Sequence, residues 1–440
     1  MTAARPWILV LAASALAKAA CQPHPLAAVW SHLEATHPAL AATRQRETAR
    51  EEAVVQTRAS LLPRLDATGS WQYVSDVPTL ALTIPSPVPG ARPITMEREL
   101  GDHDKIEAGL TASWVLFSGF SSQHARAREV RALEATRHEG RQVRSVLALQ
   151  LGLVDLGLRT QAVELRLRRD RVHAKASWMA AWQAREKGGT ATRAQSLQAK
   201  AELLRAVADT LATRRAVDSL AVEFRALAGT AWPGSLADSL DVGFCPESVP
   251  AEPDESWQAR ALKEQAGSVQ EARGAATSGR WPVVVAQAGV RTGDPGVNQF
   301  GEGWTTWGVA GVQAQWNLFD GFERSASSRR LLAESRALEL EAARTTLQRD
   351  TQWALLRDER DRIGGERDAL AAALEAATEA HQAIAGAVAS GASQPDDLLD
   401  ATLRESELRA RLSQLSLREA GLALRLRSLS GEPLSFEGRP

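Results

Sequence analysis

Between residues 63 and 74 apolar and small side chains (Leu65, Ala67, Gly69, Trp71, Tyr73) alternate with polar ones (Arg64, Asp66, Thr68, Ser70, Gln72). A period of two predicts a strand with one apolar and one polar face. Segments near 105–117, 282–291 and 304–318 read the same way. A loop from Ser75 to Asp104, loaded with Pro78, Pro85, Pro87, Pro89 and Pro93, separates the first pair, and a shorter one, Thr292 to Gly303, the second. Each pair predicts a hairpin. Strands of about 9–11 residues suit a tilted bilayer crossing; an ordinary half-buried hairpin is the alternative.

Elsewhere the period is helical. Leu26 to Leu62 predicts a helix that stops at Pro63. Phe120 to Lys187 and Phe322 to Ser390 each predict a helix of roughly 100 Å at 1.5 Å per residue. Such lengths need neighbouring helices throughout. Gly364-Gly365 marks a kink point in the second. Glycine turns at Gly188-Gly189-Thr190 and Gly391-Ala392 lead into returning helices. In the last of these Leu408, Leu412, Leu415, Leu422, Leu426 and Leu429 keep a 4-3 spacing, and Val217, Leu220, Phe224 and Leu227 do likewise earlier, which predicts coiled-coil seams.

Trp114-Val-Leu-Phe-Ser-Gly-Phe120 returns 202 residues later as Trp316-Asn-Leu-Phe-Asp-Gly-Phe322, and the same offset carries Gly189 onto Gly391 and Gly229 onto Gly431. A register shared over that distance predicts two copies of one structural unit. The expected organisation is a first repeat over 20–230, a proline-rich linker over 231–253, a second repeat over 254–431 and a tail over 432–440.

Composition adds three constraints. A net charge of −1 gives no general attraction to nucleic acid. Residues 1–19, with Arg5, an apolar run from Trp7 to Ala17 and Ala17-Lys18-Ala19, read as a signal peptide, and no later stretch reaches the roughly 20 apolar residues of a spanning helix. Cys21 stands where a lipid-modified cysteine would stand; a disulfide to Cys245 and an unpaired thiol are the other readings. No phosphate-binding loop, metal-type His/Cys spacing or nucleophile elbow occurs, so no catalytic residue, metal site or cofactor is expected.

Four amphipathic strands cannot lie in lipid alone, because both outer edges would leave backbone groups unpaired. Closure against strands of other copies implies an oligomer with a wet lumen, which the helices continue on one side. The two W-x-L-F-x-G-F junctions, the Leu62-Pro63 strand start and the segment Gly391-Ala-Ser-Gln-Pro-Asp-Asp-Leu-Leu-Asp-Ala-Thr402 together resemble the TolC-like outer-membrane efflux protein (outer-membrane factor) family. That resemblance implies a mainly α chain with a small β part. It implies a homotrimer whose 12-stranded β-barrel continues into a 12-helix α-barrel, placed in the outer membrane with its helices in the periplasm.

It further implies a passive duct for efflux or type I secretion, served by a periplasmic adaptor (membrane fusion protein) and an inner-membrane transporter. By position Asp397 and Asp400 match the family's acidic constriction. Gly188, Gly189, Thr190, Gly391 and Ala392 form the tip turns expected to meet adaptor or pump. Trp114, Phe117, Gly119, Trp316, Phe319 and Gly321 form the strand-to-helix junctions. Ser393 and Val388 stand where the family carries a closing latch, so gating contacts are expected to differ. The competing expectation is a soluble periplasmic coiled-coil scaffold.

Overall fold

The computed structural model describes residues 26–85, 87, 90, 92–99, 103–234, 252–294, 296, 303–390, 392–432, 434 and 436. The segment expected to be a signal peptide, Cys21, Cys245, Gly391 and most of the expected linker lie outside them. In chain order the elements are α1 (Leu26–Thr36), α2 (Pro38–Ala59), β1 (Arg64–Tyr73), β2 (Thr79–Ile84), β3 (Ile94–Glu99), β4 (Asp104–Phe117), α3 (Ser121–Lys187) and α4 (Arg193–Ala228). They continue with α5 (Trp257–Ser278), β5 (Val283–Asp294), β6 (Thr305–Gln315), α6 (Glu323–Ala389) and α7 (Pro395–Leu429). The chain is thus mainly helical, and α3 and α6 are both 67 residues long.

Two compact units divide the chain. One comprises Glu47–Thr136 and Leu262–Leu340. Its four-stranded sheet has the order β1-β4-β5-β6, antiparallel throughout. The registers Ala67↔Leu110, Leu110↔Val290 and Ala286↔Val312 place the apolar alternates of all four strands on one face, since directly opposed residues share a face. The other face is polar, with Glu107 and Arg291 paired at 3.0 Å. Within the chain the apolar face is uncovered: Trp71, Leu110, Val290 and Val312 are all more than half exposed. This sheet encloses no core of its own.

The other unit comprises Met1–Arg46, Arg137–Ala261 and Glu341–Pro440. Here the packing is heptad-like. Leu151, Leu158 and Leu165 of α3, Val217 and Phe224 of α4, and Ala410, Leu417 and Leu424 of α7 recur at seven-residue steps in one buried cluster with Leu26, Trp30 and Leu33 of α1. One long-helix sequence keeps one seam buried by this spacing. Local signals set the ends. Thr192 caps α4 in a box with Gln195, and Gly229 closes it in the left-handed region at φ 71°.

Five expectations need correction. The first helix is two, broken at His37, because Pro38 lacks the N–H and its ring crowds the preceding turn. The Ser75–Asp104 loop contains a separate hairpin, β2 with β3, whose prolines flank rather than interrupt the strands. The last strand leaves the ladder at Gln315 rather than 318. Helix α6 runs unbroken through Gly364-Gly365, which add about 1 kcal/mol of propensity cost each without ending it. Finally, α3 does contain an apolar window long enough to cross a membrane; 56% of it is buried, since its leucines build the helical core. The α7 seam is also double: Leu415 and Leu422 pack with Ile363 of α6, while Leu417 and Leu424 enter the main cluster.

Candidate functional site

Both strand-to-helix junctions are built by the same local chemistry. Gly119 and Phe120 adopt φ of 64° and 73°; Gly321 and Phe322 adopt 63° and 72°. Two successive left-handed residues mark each exit from the ladder, and only the first is a glycine. The rings then clasp, Phe117 against Phe120 at 5.4 Å and Phe319 against Phe322 at 5.8 Å, both edge to face. Each indole donates to the turn that follows a preceding helix, Trp114 Nε1 to the Leu61 carbonyl and Trp316 Nε1 to the Arg280 carbonyl, both at 3.0 Å.

Caps differ in chemistry but not in place. Ser118 Oγ accepts from the Ser122 N–H, and Asp320 accepts from the N–H groups of Phe322 and Arg324. The Arg324 guanidinium also donates to Asp320, to the Gly279 carbonyl and to the Asn317 carbonyl. The sequence reading named the glycines but missed Phe120 and Phe322. Their only signal was the motif's closing Phe, which says nothing of φ.

At the far ends of the long helices the turns also match. Thr190 N–H donates to the Arg185 carbonyl at 2.9 Å and Ala392 N–H to the Ala387 carbonyl at 2.8 Å, each reaching back five residues. That bond pattern closes a helix in a Schellman turn, with Gly189 at φ 74° supplying the left-handed step in the first. Gly188 donates to Ala184 at 3.0 Å.

The three aspartates after this turn have different surroundings. Asp397 Oδ2 accepts from Ser393 Oγ at 2.5 Å and from the Gln394 N–H at 2.9 Å, capping the start of α7. The Ser393 hydroxyl first, then the Gln394 amide, holds its carboxyl below the usual carboxylate range. Asp396 accepts from Trp178 Nε1 at 2.5 Å and Trp182 Nε1 at 3.2 Å of α3. Beside it Arg185 donates to Gln394 Oε1 at 2.9 Å and stacks on Trp182 at 5.5 Å. Asp400 is exposed, one turn further on. The i, i+4 spacing of Trp178 and Trp182 puts both on one face of α3 but names no partner for them. Among the described residues no group of three or more His, Cys, Asp or Glu side chains is arranged for a metal.

A sheet with an uncovered apolar face is thus joined through tight junctions to two 67-residue helices. The outer membrane efflux protein family model matches residues 29–230. The fold is that of solved outer-membrane channels. The open-state MtrE channel of Neisseria gonorrhoeae superposes with TM-score 0.73 at 17% identity over 95% of this chain and 91% of its own. CusC gives 0.71 at 14% identity over 92% of each chain. The outer membrane protein VceC of Vibrio cholerae gives 0.68 at 15% over 94% and 97%. No curated protein matches. The TolC-like resemblance read from the junction motifs is therefore borne out: the outer membrane efflux protein model matches the first half of the chain, and the fold is that of the channels above.

Proposed function

We propose that three copies close their four-stranded sheets into a 12-stranded lipid-embedded barrel, continued by 12 helices into the periplasm as a passive, gated duct. The carrying observation is the open sheet: β1 and β6 each pair on one side only, and its apolar face is bare. In water that face favours association, and in lipid the unpaired edges cost several kcal/mol per backbone group, so closure satisfies both. The scaffold alternative leaves the face unexplained.

Energy for transport comes from a partner: a periplasmic adaptor and an inner-membrane transporter, in tripartite efflux or type I secretion, meeting the turns around Gly188–Thr190 and Gly391–Ala392. Asp397 and Asp400 ring the narrow end; three copies of each concentrate negative charge and favour multivalent cations. Because Asp397 also caps α7, Asp400 is the cleaner probe of pore charge.

The test is purification from outer-membrane fractions and recording in planar bilayers. Detergent-extracted, heat-modifiable trimers with stable conductance are expected, with block by a trivalent cation weakened about tenfold or more in Asp400→Ala and further in Asp397→Ala with Asp400→Ala. A water-soluble monomer without conductance overturns the duct. Unchanged block in the double variant removes both residues from the gate.

A further inference from the structure

The two halves of the sheet obey one numerical map. Leu65↔Ala112 recurs as Val284↔Ala314, and Tyr73↔Asp104 as Thr292↔Thr306, so β1 maps onto β5 at an offset of 219 and β4 onto β6 at 202. The junctions follow it: the bond from Trp114 to Leu61 becomes the bond from Trp316 to Arg280. Three of its contacts have no second occurrence among the described residues. A Cβ at Gly119 would lie 2.7 Å from the Ser278 carbonyl oxygen and 2.9 Å from Trp281 Cβ, whereas a Cβ at Gly321 would meet nothing within 4 Å. Phe120 packs against Trp281 at 6.4 Å, while Phe322 is 72% exposed. Within the ladder Gly109 is pressed against Arg291, and its counterpart Gly311 is bare. Transferring Ser278 and Trp281 by the same offset gives Ala59 and Leu62, and Leu62 is 66% exposed.

From this we infer that β6 of one copy pairs antiparallel with β1 of a second copy in one fixed register, with Gln315 opposite Thr68 and Val312 opposite Trp71. The Ala59–Leu62 turn of that second copy seats on the Gly321–Phe322 junction. The pairs are the β4–β5 partners Ser113↔Gln287 and Leu110↔Val290 carried through the map. The occupant is a second copy because this chain itself carries the matching turn, with Leu62 ahead of Pro63 as Trp281 stands ahead of Pro282. A slip by one residue would put the exposed Trp71 and Val312 on opposite faces, so the register is strongly specified. The surface rests on the three-copy reading above and adds to it which residues meet.

The test is disulfide trapping in full-length protein with Cys21 and Cys245 replaced by Ser. Gln315→Cys is combined with Thr68→Cys, or with the two-residue slips Asp66→Cys and Ser70→Cys. Directly opposed positions lie within disulfide reach and diagonal ones about 7–8 Å apart do not. Covalent trimers are expected on non-reducing gels for the Thr68 pair, at least fivefold more than for either slip and absent from the single-cysteine variants. Heat-modifiable trimers that crosslink best through Asp66 or Ser70, or through none, overturn the register while leaving the three-copy reading intact. Monomers throughout, in the variants and in the unsubstituted chain, overturn both.

Discussion

Phe120 and Phe322 hold φ near +73°, a conformation that costs an L-residue about 1–2 kcal/mol, and their ring contacts offset it at about 0.5–1.5 kcal/mol per pair. The preceding glycines carry the same backbone demand with unequal surroundings. With copies kept apart by dilution in detergent, Gly119→Ala is expected to lower the denaturant midpoint more than Gly321→Ala. Both incur left-handed strain, and only the former adds an overlap with Ser278, typically costing about 1–3 kcal/mol. Equal midpoints would remove Ser278 from the account.

Asp397 gives a pH prediction. Its folded pKa lies below the ordinary 3.8, so its capping contribution is complete above that value and is lost as pH falls through the lower folded pKa. Hydrogen exchange of the first turn of α7, corrected for intrinsic rate, should therefore stay slow at pH 4 and quicken only as the pH falls below the ordinary carboxylate value. Asp397→Asn should show no such step.

Between elements, the decisive relation is that β2 and β3 pair only with each other, while the main hairpin already closes through the Val74 N–H donated to the His103 carbonyl at 2.8 Å. Replacing Thr79–Glu99 with a short Gly/Ser linker is thus expected to leave the β1–β4 ladder and heat-modifiable migration unchanged. Loss of folded migration would make this hairpin part of the core. Its prolines masked it in the sequence. A Pro-dense segment reads as a loop, yet Thr79-Leu-Ala-Leu-Thr-Ile84 carries none and has the aliphatic and β-branched content of a strand. The same weighing of one residue type explains the opposite error at Gly364-Gly365, where two glycines inside 67 residues cannot outweigh the helix around them.

For the molecule as a whole, the helices carry apolar positions that a single chain leaves bare. Leu197, Leu204 and Leu211 of α4 recur every seven residues with Val207 between them, and Leu340, Leu347 and Leu355 of α6 are about two-thirds exposed. Stripes of this spacing are seams awaiting neighbours. Leu204→Glu with Leu211→Glu should abolish trimers in size-exclusion chromatography while leaving far-ultraviolet helicity of the chain intact, since neither side chain is buried in its own chain. Trimers of unchanged yield would show that this stripe faces solvent or another partner.

The sequence by itself determined what depends on neighbours a few residues away. Alternation every second position marked the four sheet strands, helical periodicity marked the long helices, heptad spacing marked the returning ones, and the Trp-to-Phe motif marked both junctions, because each is a local steric or periodic demand on the chain. It also placed Asp397 at a helix start, where its carboxylate caps the first turn. Tertiary structure alone decided what those elements meet. That α7 buries two stripes, that Trp178 and Trp182 reach across 218 and 214 residues to Asp396, and that Gly119 is pressed while Gly321 stands open all depend on contacts between distant segments, and such contacts leave no period in the chain.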